Sequence, residues 1–151
     1  MSSKPDIRVA TSDDAARVRD IARASYAKYV VRIGREPAPM GADYENQIGE
    51  GLCVVLEAAG RVCGYLVAWP ETDAYFIENI GVEPDCQGRG YGRRLMDHAT
   101  DEANRLRLSA LRLYTHALMT ENLAMYARMG FSETHRVRES GFDRVYMQKI
   151  L

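Results

Sequence analysis

The chain has 151 residues, 46% of them apolar, which suits one domain (residues 1–151) with a core of its own. Twenty basic side chains against 21 acidic ones leave a net charge of −1, so neither nucleic acid nor an anionic membrane is an expected partner. The longest apolar run, residues 52–56, falls far short of the roughly 20 residues that span a bilayer, and no apolar stretch of a secretory signal follows residues 1–6. Cys53, Cys63 and Cys86 lack metal-ligand spacing and read as reduced thiols of a cytoplasmic protein, with no metal expected.

Residues 7–10 read as a first strand. Thr11-Ser12-Asp13-Asp14 offers capping groups to a helix with Ala15, Val18, Ile21, Ala22 and Ser25 on one face. Helical character fades after Tyr29, and Gly34, Pro37, Pro39 and Gly41 mark a loop before a short helix at 43–48, ended by Gly49 and Gly51. Residues 52–58 and 62–69 form a hairpin turned at Gly60, and 70–73 break the second strand. Residues 75–82 alternate Phe76, Glu78, Ile80 and Val82 against Ile77, Asn79 and Gly81. A glycine-rich segment then opens a helix along Leu95, Ala99, Ala103 and Leu106. A strand at 111–115, a helix at 121–129 capped by Thr120 and closed by Gly130, and strands at 131–137 and 144–150 complete an α/β fold around one mixed sheet.

The segment Glu83-Pro84-Asp85-Cys86-Gln87-Gly88-Arg89-Gly90-Tyr91-Gly92-Arg93-Arg94 carries the chemistry. A helix start presents unpaired N–H groups and the positive end of the dipole, and glycines let the backbone approach an anion. Arg89, Arg93 and Arg94 add positive charge. The spacing is not the G-x-G-x-x-G of a dinucleotide fold, and no acidic residue ends the next strand to hold a ribose. The Gly-Lys-Ser/Thr of a P-loop is also absent.

Gln87-x-x-Gly90-x-Gly92 resembles the Q/R-x-x-G-x-G/A signature of the GCN5-related N-acetyltransferase (GNAT) family. Ile80-Gly81-Val82-Glu83-Pro84 is similar to the strand before that loop, and Asn122-x-x-x-Tyr126-x-x-x-Gly130-Phe131 to a later helix and strand. The resemblance runs from about Ile7 to Ile150. It implies a single-domain, mostly antiparallel mixed sheet with helices on both faces and a splayed central strand pair. It also implies acetyl-CoA as co-substrate. The pyrophosphate would lie on the backbone of Gln87, Gly88, Arg89, Gly90, Tyr91, Gly92 and Arg93. The pantetheine would run along Ile80, Gly81 and Val82, with the thioester sulfur near Tyr126. One departure stands out: many members carry an asparagine seven residues before that tyrosine, where this chain has Met119. Asn122, on the helix face of Tyr126, is the candidate to reach the cofactor instead.

Acetyl transfer needs a neutral amine and a protonated leaving sulfur. Amines with pKa from ~7.7 to ~10.4 must first lose a proton, and a phenol at ~10 can supply one to the thiolate. Tyr126 is the candidate acid. Glu78, on the strand face of Ile80 and Val82, is the candidate base, with His116 or bulk water as alternatives; His98 and His135 have no supporting context. Cys86 lies at the pyrophosphate end, which favours direct transfer in a ternary complex over an acyl-enzyme. Residues 29–44 are the expected acceptor wall, where Pro37, Pro39 and Met40 make a stiff apolar edge. There Arg32 and Arg35 suit a carboxylate while Asp43 and Glu45 suit a cation, so the acceptor, a small-molecule or peptide amine, stays open. A non-catalytic acyl-CoA sensor of the same fold is the competing reading, and a homodimer is expected by analogy with the family.

Overall fold

A computed structural model describes residues 4–151, so the reading of residues 1–3 lies outside the described residues. The first strand, β1 (Asp6–Val9), leads into a 3-10 turn and helix α1 (Ala15–Tyr26). Asp14 starts that helix: its carboxylate accepts the Thr11 N–H at 2.8 Å, and Arg8 clamps it at 2.8 and 3.1 Å. The guanidinium holds the Asp14 carboxyl below the usual carboxylate range. Val18, Ile21 and Ala22 are fully buried, and Tyr26 takes the inward place that the sequence pattern assigns to Ser25.

The fade expected after Tyr29 is a helix in the structure, α2 (Tyr29–Ile33), stopped by Gly34 at φ +86°. A 3-10 turn (Ala38–Gly41) and helix α3 (Tyr44–Gly49) follow, the latter capped by Asp43 on the Asn46 N–H at 3.1 Å. Strands β2 (Cys53–Ala58) and β3 (Arg61–Pro70) meet in a two-residue turn with Ala59 and Gly60 both at positive φ. Pro70 closes β3 instead of breaking it, since a strand's last residue can lack an N–H.

Strand β4 (Tyr75–Val82), helix α4 (Tyr91–Arg105) and strand β5 (Ala110–His116) come next. Met96 joins the buried face of α4, whereas Leu106, expected on it, lies beyond the end of the helix and is exposed. Helix α5 (Thr120–Arg128) has Met119 at its N-cap position, so Thr120 is its first helical residue and not its cap; its hydroxyl meets Glu121 instead. Strands β6 (Ser132–Glu139) and β7 (Phe142–Ile150) turn through Ser140 and Gly141, again both at positive φ.

The strand order is β1-β2-β3-β4-β5-β7-β6. β4 and β5 are parallel; β1–β2, β2–β3, β5–β7 and β6–β7 are antiparallel. The parallel ladder joins Tyr75↔Leu111, Phe76↔Arg112 and Ile77↔Leu113.

The described residues form two compact units, 4–68 with Asn79–His98, and Trp69–Glu78 with Ala99–Leu151. In the first, Val18, Ile21, Val55, Leu56, Tyr65 and Leu95 are fully buried or nearly so. In the second, Ile77, Leu111, Leu113, Val145 and Met147 make the apolar side of the strands, with Ala99 and Ala103 inward on α4. No helix among the described residues is long and apolar enough to cross a membrane.

Candidate functional site

In the first unit, the end of β4 leads into the glycine loop. Glu83 N–H donates to Cys63 O of β3 at 2.8 Å, so by strand alternation the main-chain groups of Ile80 and Val82 face away from β3. The Ile80 carbonyl accepts Tyr26 Oη at 3.1 Å, and the Val82 carbonyl accepts Gln87 Nε2 at 3.3 Å. Gln87 thus ties the loop back to its own strand. Gly81 has a packing role: a Cβ there would stand 2.6 Å from Cε1 of the fully buried Tyr65.

A 3-10 turn (Pro84–Cys86) precedes Gly88 at φ +83° and Gly90 at φ +79°. Arg94 N–H makes the first return bond of α4, to Gly90 O at 3.1 Å; Gln87 and Gly88 form a tight turn ahead of it, and among the described residues no amide of residues 88–93 makes a close bond to a backbone carbonyl. Open space surrounds the positions a Cβ would take at Gly88 and Gly90. The loop's acids are already neutralised, Glu83 by Arg17 at 3.0 Å and Asp85 by Arg61 at 3.2 Å. Arg89 and Arg93 are exposed and make no ion pair among the described residues. Amides without close backbone bonds at a helix start, beside unneutralised guanidinium groups, fit a pyrophosphate. Cys86 is buried, and burial pushes its thiol up to about 12, away from the thiolate that an acyl-enzyme would need.

A polar chain that the sequence reading missed crosses the interior of this unit. Tyr65 Oη donates to Asn79 Oδ1 at 2.8 Å, Asn79 Nδ2 donates to Tyr44 Oη at 2.5 Å, and Tyr44 Oη donates to the Pro39 carbonyl at 2.5 Å. It fixes the segment of Pro37, Pro39 and Met40 to β4. An asparagine on the inward, otherwise apolar side of β4 was the signal that could have revealed it. The acids of residues 29–44 and its neighbour are engaged: Asp43 caps α3, and Glu45 pairs with Arg19. Arg32 lies over the Tyr29 ring at 5.2 Å, and Arg35 is exposed.

In the second unit, Glu78 is half-buried and accepts Tyr114 Oη at 3.4 Å. Burial raises its carboxyl above the ordinary value against the opposing effects of Tyr114 and Arg144. The Tyr114 phenol is pushed up to about 12, mainly by burial. Tyr126 is buried on α5, where Gly130 at φ +99° and the Phe131 N–H bond to Tyr126 O at 3.0 Å form a Schellman end; the Tyr126 and Phe131 rings meet edge-on at 5.8 Å. Asn122 Nδ2 and Thr115 Oγ1 both meet the Met119 sulfur, at 3.6 and 3.5 Å.

His116 is a latch. Its Nδ1 faces the Leu118 N–H at 3.0 Å and its Nε2 the Asp143 N–H at 3.3 Å, and burial lowers its pKa. Both nitrogens are directed at backbone amides, a poor setting for a group that must collect a proton. His98 is half-buried on α4; His135 is exposed and stacks on Tyr146 at 4.5 Å.

Residues 16–131 match the family model described as the acetyltransferase (GNAT) family. A stretch of 90 residues, 60% of this chain, is 32% identical to the ribosomal protein bS18-alanine N-acetyltransferase of Salmonella typhimurium and spans 61% of that relative's length. Among solved structures, the PaiA N-acetyltransferase of Thermoplasma acidophilum in complex with coenzyme A superposes with a TM-score of 0.83 at 18% identity, over 99% of this chain and 100% of that one. The ribosomal-protein-S18-alanine N-acetyltransferase of Escherichia coli gives 0.77 at 22% identity, over 97% of this chain and 94% of that one. At these identities the two structures speak for the fold.

Proposed function

Because the chain belongs to the acetyltransferase (GNAT) family, we propose that it moves an acetyl group from acetyl-CoA to a primary amine by direct transfer, with residues 1–151 working as one N-acetyltransferase domain. The observation that carries the reading is the loop of residues 88–93, whose amides make no close bond to a backbone carbonyl and stand beside Arg89 and Arg93. Gly88 and Gly90, at positive φ, let those amides converge on the pyrophosphate; Gly92 lets the helix start close by. Gln87 braces the loop. Ile80 and Val82 offer main-chain groups turned away from β3 to the pantetheine arm, and Gly81 keeps that stretch of β4 seated on Tyr65. Tyr91 and Asn122 complete the cofactor contacts. Three free, buried thiols support a reducing, cytoplasmic setting.

The chemistry then divides between two side chains. Glu78, with its raised carboxyl pKa, takes the proton that the acceptor ammonium must lose. The amine nitrogen bonds to the acetyl carbon, the carbon–sulfur bond breaks, and Tyr126 gives its phenolic proton to the departing thiolate. The nitrogen, which still carries two protons after attack, sheds one to solvent as the amide forms; solvent restores the Tyr126 phenol, and Glu78 releases its proton.

The test pairs a turnover screen with calorimetry. Free thiol should appear when acetyl-CoA is offered with amino acids, polyamines, aminoglycosides and peptides. Gly90→Asp adds a carboxylate facing the phosphates at a left-handed position that aspartate tolerates, so CoA binding should vanish in a folded protein. Wild-type CoA affinity in that variant would remove the pyrophosphate assignment. CoA binding by the wild type without turnover on any amine would favour the sensor reading.

A further inference from the structure

The half-buried side of the second unit carries a continuous row of rings. Trp69 and Phe76 lie 5.5 Å apart, Phe76 and Tyr114 6.0 Å, Tyr114 and Tyr146 5.5 Å, and Tyr146 and His135 4.5 Å. The row follows from register: Tyr114 pairs with Tyr146, and Tyr146 with His135, across β5, β7 and β6. The opposite side of these strands holds the buried Ile77, Leu111, Leu113, Val145 and Met147, so the rings are not needed to build that core.

The polar groups on the ring side satisfy one another, with one exception. Arg112 is held by Asp73 at 2.7 and 2.9 Å and by Gln148 at 2.9 Å. Arg144 pairs with Glu139 at 2.9 Å and lies over the Tyr114 ring at 4.3 Å, and the Tyr146 hydroxyl bonds Glu139. Glu78 alone among these carboxylates has no ion pair among the described residues; it receives one long bond from Tyr114 and feels Arg144 only through its field. A half-buried carboxylate flanked by rings is complemented by a cation bearing apolar surface. The guanidinium groups on this side are both engaged, so nothing remains to receive an acceptor's carboxylate. With the tips of Tyr114, Tyr146, Arg112 and Arg144 engaged too, the side suits rings better than the polar backbone of a peptide.

We propose that this row is the acceptor platform and that it takes a small primary ammonium carried on an aromatic group, Glu78 pairing with the ammonium while Phe76 and Tyr114 hold the ring. The inference rests on the acetyl transfer proposed above and names its acceptor.

Two measurements test it separately from that reading. The first compares kcat/KM, by free-thiol release, for 2-phenylethylamine and tyramine against ethylamine, glutamate and a phenylalanine-initiated peptide. The aromatic amines should lead ethylamine by about tenfold or more, and Phe76→Ala should reduce that lead about tenfold through KM. Phe76→Leu keeps apolar volume but loses the ring, and should shrink the lead in the same way if the alanine variant fails to fold. The second titrates the fluorescence of Trp69, the chain's single tryptophan, with 2-phenylethylamine in the absence of acetyl-CoA. A saturable change, weakened in Phe76→Leu, is expected. Preference for ethylamine, glutamate or the peptide would overturn the platform, as would a Trp69 signal that does not respond. If no amine is turned over, the proposed activity fails, and the titration still decides whether the ring side binds an aromatic ammonium.

Discussion

Tyr44→Phe removes one oxygen from the interior and takes a partner from the buried Asn79 amide and from the half-buried Pro39 carbonyl. Tyr44 is fully buried, and its hydroxyl both accepts Asn79 Nδ2 and donates to Pro39 O. Each buried polar group left unsatisfied costs about 1–3 kcal/mol, so the variant should lose about 2–5 kcal/mol. Tyr65→Phe strands Asn79 Oδ1 and removes a hydroxyl that also meets Tyr44, while the Pro39 carbonyl keeps its donor, so it should lose less than Tyr44→Phe. Because both tyrosines meet the same amide, the double variant should lose less than the sum of the two. Urea unfolding measures this: the midpoint falls while the m-value holds, since neither change alters the area exposed. A Tyr44→Phe stability within about 0.5 kcal/mol of wild type, the range of a neutral surface change, would show that the polar chain does not hold this segment.

Tyr126→Phe keeps the ring against Phe131 and loses the proton donor; kcat should fall by about 10²–10⁴-fold with little change in acetyl-CoA affinity, as steady-state kinetics and calorimetry would read. Glu78→Gln should lower kcat/KM at neutral pH, by an amount that shrinks as pH rises and more acceptor is already neutral; parallel pH–rate profiles would remove Glu78 as the base. The same variant should be more stable than wild type at pH 7. The folded state holds the Glu78 proton more tightly than the unfolded chain does, so wild-type stability is full below the ordinary carboxylate pKa and declines as pH rises through the folded value. Melting curves should therefore separate at pH 7 and converge near pH 4. Gly81→Ala should destabilise by about 1–3 kcal/mol through overpacking, because its Cβ would meet a Tyr65 ring that Asn79 holds in place.

The glycine loop and helix start after β4 were legible because their signals are local. Positive φ at Gly88 and Gly90, a helix starting at Tyr91 and arginines in the first turn all follow from a dozen consecutive residues. The alternation of β4 likewise placed Glu78, Ile80 and Val82 on one side, and burial follows that pattern. The engagement of each charge was not legible. Asp43 and Glu45 look like cation-seeking loop acids until the fold assigns one to the α3 cap and gives the other Arg19, 26 residues away.

The sequence alone determined what short-range stereochemistry can encode: the order of the strands and of the helices other than α2, most of the turns, and a glycine-rich helix start between β4 and α4. The tertiary structure decided which distant side chains share a site. Tyr44 meets Asn79 across 35 residues and Tyr114 meets Glu78 across 36, because strand register and helix docking bring them together. The ring row arises in the same way: Tyr114, Tyr146 and His135 are outward residues of three strands whose pairing no local pattern states. Periodicity tells a residue which side of its own strand it occupies, and only the packed sheet tells it what stands beside it.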